Sequence, residues 1–187
     1  MLRLNVIVAS TRPGRVGESV ASWFHDFARE HSRFDVHWTD LADFALPVFD
    51  EPNHPRQQDY QHEHTKRWAE SVDAADAYVF VTPEYNFGPT PALVNALNYV
   101  YHEWSYKPAA FVSYGGNSGG IRAVQTTKLT LTTLKVMPLI EQVTIPMVAQ
   151  QVDNGRFAAN EQQEKSAGAM LDELVRWAKA LKPMREN

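Results

Sequence analysis

Short apolar runs alternate along this chain with longer stretches whose apolar residues recur at helical spacing. Leu4 to Ala9 reads as a first, buried strand. Gly17 to Glu30 then places Val20, Trp23, Phe24, Phe27 and Ala28 on one face, the pattern of a helix with those residues in the core. Phe34 to Trp38 alternates weakly and predicts a second strand. Pro47, Pro52 and Pro55 make residues 46–60 a loop, and a helix follows from about Gln61 to Ala74. Ala77 to Thr82 is the clearest buried strand, and prolines with Gly88 make Pro83 to Pro91 a loop. A helix is predicted over Ala92 to Tyr101, a fourth strand over Ala109 to Ser113, and a helix over Ile121 to Leu134. Val136 to Ile145 contains a fifth strand. Asn160 to Leu181 closes the chain as a helix with Met170, Leu171, Leu174, Trp177, Ala178 and Leu181 inward. Lys179 to Asn187 reads as a fraying polar end.

The order is strand–helix, five times over. Strands that are near-continuous apolar runs belong to a parallel sheet with helices on both faces. Right-handed crossovers leave few topologies, and the order 2-1-3-4-5 of flavodoxin-like sheets is a common one. We therefore expect a single α/β domain over residues 1–187, a five-stranded parallel sheet between two helical layers. Ligands of such sheets lie beyond the carboxyl ends of the strands, beside the switch point between strands one and three. That rule selects the loops 10–17, 83–91 and 114–120.

The first loop, Ser10-Thr11-Arg12-Pro13-Gly14-Arg15-Val16-Gly17, opens a helix. Unpaired amides at a helix start favour an anion, and guanidinium forks match phosphate oxygens. The bland alternative is a capping loop with solvated arginines. The loop fits neither the P-loop pattern nor G-x-G-x-x-G, which disfavours ATP or GTP hydrolysis and tightly held NAD and leaves a mononucleotide. In the second loop, Pro83-Glu84-Tyr85-Asn86-Phe87-Gly88-Pro89-Thr90-Pro91, prolines suggest an open, rigid backbone course. Tyr85 and Phe87 are either aromatic walls of a site or core residues. The third loop, Tyr114-Gly115-Gly116-Asn117-Ser118-Gly119-Gly120, either brings backbone close to something flat or makes a tight turn into a helix.

Composition narrows the chemistry. The chain has 187 residues, no cysteine and a formal net charge of −4. Disulfides, thiolate metal sites and cysteine nucleophiles are excluded, and the absence of cysteine fits a cytoplasmic protein. No Lys/Arg run suggests a nucleic-acid footprint. Neither a signal peptide nor a membrane span is expected. Gly116-Asn117-Ser118-Gly119-Gly120 matches the hydrolase elbow G-x-S-x-G, but no histidine follows Ser118 in the chain, as that fold requires. His62-Glu63-His64 lacks the one-turn spacing of a helical metal pair and reads as a solvated helix start whose two rings diverge.

The loop residues carry a resemblance. Ser10-x-Arg12, Pro83-Glu84-Tyr85-Asn86, Ala92-Leu93-x-Asn95-Ala96-Leu97, Glu103-Trp104, Lys107-Pro108 and Ser113-Tyr114-Gly115-Gly116 resemble the NADPH-dependent FMN reductase family, which includes flavin-containing quinone, azo and chromate reductases. The likeness covers roughly residues 4–146. It implies that Ser10, Arg12, Arg15, Val16 and Gly17 hold the phosphate of FMN. Pro83, Glu84, Tyr85, Asn86 and Phe87 would line its isoalloxazine, with Tyr114, Gly115 and Gly116 along the pyrimidine edge. The chain departs from many relatives at Ala9, Arg15, Gly17 and Ala92.

The same resemblance implies hydride transfer from NADPH or NADH to flavin N5, then delivery to a quinone, free flavin or similar small acceptor, in ping-pong order. No catalytic side chain is named, because the cofactor carries the chemistry. A homodimer or homotetramer is implied. The aromatic stretch Tyr99 to Tyr106 would serve either that interface or internal packing. An FMN electron carrier of flavodoxin type and a flavin-free scaffold are the alternatives.

Overall fold

A computed structural model of the chain describes residues 1–185. Five strands form one parallel sheet: β1 (Leu2–Val8), β2 (Phe34–Asp40), β3 (Ala77–Pro83), β4 (Pro108–Tyr114) and β5 (Met137–Ile145). Their order is β2-β1-β3-β4-β5, as the sequence predicts. The helices are α1 (Gly17–His31), α2 (Leu41–Phe44), α3 (Glu63–Asp73), α4 (Pro91–Tyr99), α5 (Ile121–Thr133) and α6 (Glu161–Leu181). A small antiparallel hairpin, β6 (Val152–Asp153) with β7 (Arg156–Phe157), precedes α6.

Strand periodicity divides the core in two, because successive side chains point to opposite faces. Leu4, Val6 and Val8 of β1, with Val79, Val81, Ala110 and Val112, pack under α1 and α6 against Val20, Phe24, Met170 and Leu174. Ile7, Tyr78, Phe80 and Phe111 pack on the other face against Trp68 and Val72 of α3, Leu93 and Leu97 of α4, and Val124 and Leu131 of α5. The central strands β3 and β4 are buried along their whole length. That is why both read as uninterrupted apolar runs.

Several expectations need correction. Trp23 and Phe27 are only half-buried. They line a cavity of about 740 Å³ whose far wall is the 152–157 hairpin, and Trp23 meets the Phe157 ring at 5.3 Å. Trp177 and Leu181 are half-buried as well, at the rim of the α6 apolar stripe. Residues Lys182–Arg185 do not fray. They form a 3-10 turn in which Arg185 pairs with Asp76 and Lys182 approaches it at 3.7 Å. The largely buried Asp76 carboxylate, 15% exposed, gathers those cations. Glu186 and Asn187 lie outside the described residues.

His62 and His64 stack at 5.1 Å rather than diverge, because His62 sits in extended backbone just before α3. α4 stops at Tyr99, short of the expected Tyr101. Within the expected 46–60 loop, Pro55–Gln57 makes a 3-10 turn. In the aromatic stretch after α4, Tyr99 and Trp104 are fully buried. The Trp104 ring lies 4.9 Å from Tyr78 and 5.8 Å from Trp68. Internal packing accounts for both residues.

Candidate flavin site

β1, β3 and β4 end side by side, so the loops after them share one edge of the sheet. The Ala9 amide continues the ladder with a 3.0 Å bond to Val81 O. Thr90 Oγ1 donates to Ala9 O at 2.6 Å and accepts from the Leu93 amide at 3.1 Å. That hydroxyl caps α4 and fastens its start to the first loop. A Thr just before a Pro at the first helical position is a legible capping signal.

α1 differs from α4. Its N-cap position is Val16, and no side chain among the described residues caps it. α2, α4 and α6 are capped by Asp40, Thr90 and Asn160, whereas α3 and α5, starting after His62 and Gly120, also lack a side-chain cap. The first amides bonded back to Val16 O are those of Ser19, at 3.1 Å, and Val20, at 3.3 Å. The Gly17 and Glu18 amides therefore have no acceptor among the described residues. Orphan amides at a helix start carry partial positive charge and suit an anion. Arg12 is exposed, and its guanidinium has no partner among the described residues.

Arg15 is committed elsewhere. Its guanidinium donates to Ser10 O at 2.9 Å and pairs with the Asp40 carboxylate at the end of β2. Burial pushes the Asp40 carboxyl up from its ordinary value, while the Ala42 amide and Arg15 pull it down. Arg15 thus compensates a carboxylate that burial disfavours and fixes the loop to the strand end.

Three contacts join the loops. Ser10 Oγ and Tyr85 Oη lie 3.1 Å apart, linking the first loop to the second. Tyr114, from the third, lies over the start of α1: a Cβ at Gly17 would meet its hydroxyl at 2.2 Å. Burial, with Tyr85 nearby, pushes the Tyr114 hydroxyl far above its ordinary value, so it stays neutral. The buried Glu84 carboxylate joins the second loop to the third. It accepts from Ser118 Oγ at 3.1 Å, the Arg122 amide at 3.0 Å and the Arg122 guanidinium at 2.8 Å. The Glu84 side chain is therefore a tie between loops. Neither Ser118 nor Arg122 was expected there, since an arginine in a first helical turn reads as solvated.

The second loop does not run open. Tyr85 and Gly88 exchange two backbone bonds of 2.9 Å, closing a two-residue turn. Asn86 and Phe87 both have left-handed backbone, with φ of 48° and 69°. Such a turn prefers glycine in its second position, and Phe there costs about 1–2 kcal/mol. Phe87 is 69% exposed, so it is no core residue. Its ring rests on the Arg122 guanidinium, 4.0 Å from the centroid.

In the third loop, Gly119 and Gly120 meet the needs of a tight turn. Both have positive φ, and a Cβ would come within 2.6 Å of Thr144 Cγ2 at Gly119 and 2.9 Å of Tyr114 O at Gly120. Gly116 has neither constraint, and nothing lies within 4 Å of a Cβ built there. Ser10, Tyr85, Gly17, Tyr114 and Glu84 thus bring the three loops to one place. A cavity of about 1340 Å³ starts beside it at Thr11 and Pro89 and runs along α4 past Val94 toward Leu129.

The donor set fits a flavin mononucleotide: orphan amides and a free guanidinium for a phosphate, and open backbone at Gly116 for a flat ring. Residues 2–150 match the family described as NADPH-dependent FMN reductase. The chain belongs to that family. FMN and NAD(P)H are the cofactor and co-substrate so implied, and the protein is an oxidoreductase.

Among relatives, the reductase is 38% identical over 147 residues to an NAD(P)H-dependent FMN reductase of Schizosaccharomyces pombe, covering 77% of this chain and 74% of that one. It is 30% identical over 146 residues to an NADPH azoreductase of a Bacillus species, covering 76% of each. Its fold superimposes with a TM-score of 0.77 on FerB, a flavoenzyme NAD(P)H:(acceptor) oxidoreductase from Paracoccus denitrificans. That match covers 97% of this chain and 99% of the other at 21% identity, a likeness of fold.

Proposed function

We propose that this reductase holds FMN across the three loops and uses NADPH or NADH to reduce a quinone, a free flavin or a similar small acceptor. The observation that carries the reading is the uncapped start of α1, beside an exposed arginine and tied to the two neighbouring loops. Ser10, Arg12 and the amides around Arg15, Val16 and Gly17 would hold the phosphate. Pro83, Glu84, Tyr85, Asn86 and Phe87 would border the ring, with Tyr114, Gly115 and Gly116 at its pyrimidine edge. When bound, FMN supplies reversible two-electron chemistry between a nicotinamide and an acceptor. The chain's part is to bind, orient and leave one face open. Arg12 neutralises phosphate charge, and backbone amides of the third loop offset negative charge near the pyrimidine edge.

Nicotinamide and acceptor would visit the same mouth in turn, which gives ping-pong kinetics. The work would take place in the cytoplasm, where reduced nicotinamides are supplied. Val48, Val94 and Leu129 are exposed around the 1340 Å³ groove. We propose that this apolar face is covered in a homodimer or homotetramer, since large exposed apolar patches mark interaction surfaces.

The test is steady-state kinetics of the FMN-loaded protein with NADPH and a benzoquinone varied together. Parallel double-reciprocal lines are expected. Failure of both NADPH and NADH to reduce the loaded protein would overturn the enzyme reading in favour of a carrier.

A further inference from the structure

Phe87 is unusual on three counts. It is a large aromatic side chain left 69% exposed, it occupies a left-handed backbone position with φ of 69°, and its ring rests on a guanidinium. Arg122, which supports it, is itself fixed. Its backbone amide and its guanidinium both bond the carboxylate of Glu84, at 3.0 and 2.8 Å, and that side chain is only 9% exposed. Ser118 takes up further acceptor capacity of the same carboxylate at 3.1 Å. The support therefore belongs to a bonded unit spanning two loops. An aromatic ring in a strained turn, buried nowhere and held in place from beneath, needs an explanation outside the core.

We infer that Phe87 is a specificity plate for planar acceptors, and that Arg122 is its positioning residue. The outer face of the ring offers a stacking surface beside the proposed flavin site. Aromatic rings stack favourably on flat, electron-poor partners such as quinones, and the guanidinium behind the ring holds its plane. A compact inorganic oxidant has no face to stack and gains nothing from the plate. The inference rests on the flavin reading above, and it adds a selectivity that the cofactor alone does not supply.

The overall reactions balance without further reagents. One NADPH and one proton convert a quinone to its hydroquinone and leave NADP⁺. One NADPH reduces two ferricyanide ions by one electron each, leaving NADP⁺ and a proton.

The test begins with the visible spectrum of the FMN-loaded wild type and the variants Phe87→Ala, Phe87→Trp, Arg122→Ala and Arg122→Lys. Menadione is then titrated calorimetrically into each oxidised protein with no nicotinamide present, so binding is read without turnover. We expect Phe87→Ala to weaken menadione binding about tenfold and Phe87→Trp to restore it. Arg122→Ala should weaken it less, with Arg122→Lys in between. The ratio of kcat/KM for menadione to that for ferricyanide should fall about tenfold in Phe87→Ala, through KM for menadione more than through kcat. Equal losses for both acceptors, or unchanged menadione binding, would overturn the proposal. So would a change of oligomeric state in Phe87→Ala, which would make the ring an interface residue. A wild-type protein that takes up no FMN fails at the first spectrum and removes the flavin reading beneath the proposal, an outcome distinct from the others.

Discussion

Arg12 and Arg15 share one loop, yet the structure gives their charges different tasks. The Arg12 guanidinium is exposed without a partner among the described residues, whereas that of Arg15 is spent on Asp40 and Ser10 O. Arg12→Ala should weaken FMN binding roughly 10- to 100-fold, the worth of one charge-assisted bond, and leave the melting temperature of the FMN-free protein unchanged. Arg15→Ala leaves the Asp40 carboxylate unpaired and should lower stability by about 1–3 kcal/mol, measured by urea denaturation of the FMN-free protein. Lys107 supplies a separate, pH-dependent test. It is 3% exposed and donates to the Val72 and Asp73 carbonyls at the end of α3. Burial pushes its ammonium down to about 8 from an ordinary 10.5. Between those values the unfolded chain binds more protons than the folded one, so this group makes stability rise with pH. Its contribution is complete above the ordinary value and is lost as pH falls through about 8. Denaturant midpoints compared between wild type and Lys107→Met should show the rise across this window in the wild type and a flatter profile in the variant.

At the scale of elements, helix α1 and the third loop are fitted to each other. Gly17 has ordinary helical backbone, so alanine there would improve helix propensity. The Tyr114 hydroxyl forbids it, since a Cβ would sit 2.2 Å away. Gly17→Ala should therefore destabilise by about 1–3 kcal/mol, and adding Tyr114→Phe should recover part of that loss in thermal melts. The strands and main helices were legible from the sequence because the helices carry a helical period and the central strands are near-continuous apolar runs. Ala77–Pro83 and Pro108–Tyr114 are buried throughout and read as unbroken apolar runs. The course of the second loop was not legible. A type of turn that favours glycine is occupied here by Asn86 and Phe87, and local propensity argues against it. The ties Glu84–Arg122 and Arg15–Asp40 were hidden for another reason: each joins residues far apart in the chain, and neither has a sequence period to announce it. The 152–157 hairpin has two-residue strands, too short to show alternation.

For the whole molecule, the parallel sheet puts three loop ends together, and the family relation implies FMN as the cofactor that we propose they hold. The groove from Thr11 to Leu129 adjoins that site, so an assembly that covers it would also border the acceptor's path. Leu129 is 73% exposed and Val94 43%. Charging both, as Val94→Lys with Leu129→Glu, should lower the mass seen by sedimentation velocity to that of a monomer. An unchanged mass would place the interface elsewhere. The central claim concerns a phosphate at the start of α1, and a comparison of FMN with riboflavin tests it directly, since the two differ only in that group. Fluorescence titration of the FMN-free protein should show FMN bound at least a hundredfold more tightly than riboflavin, with Arg12→Ala narrowing the gap. Equal affinity for the two flavins would contradict the account.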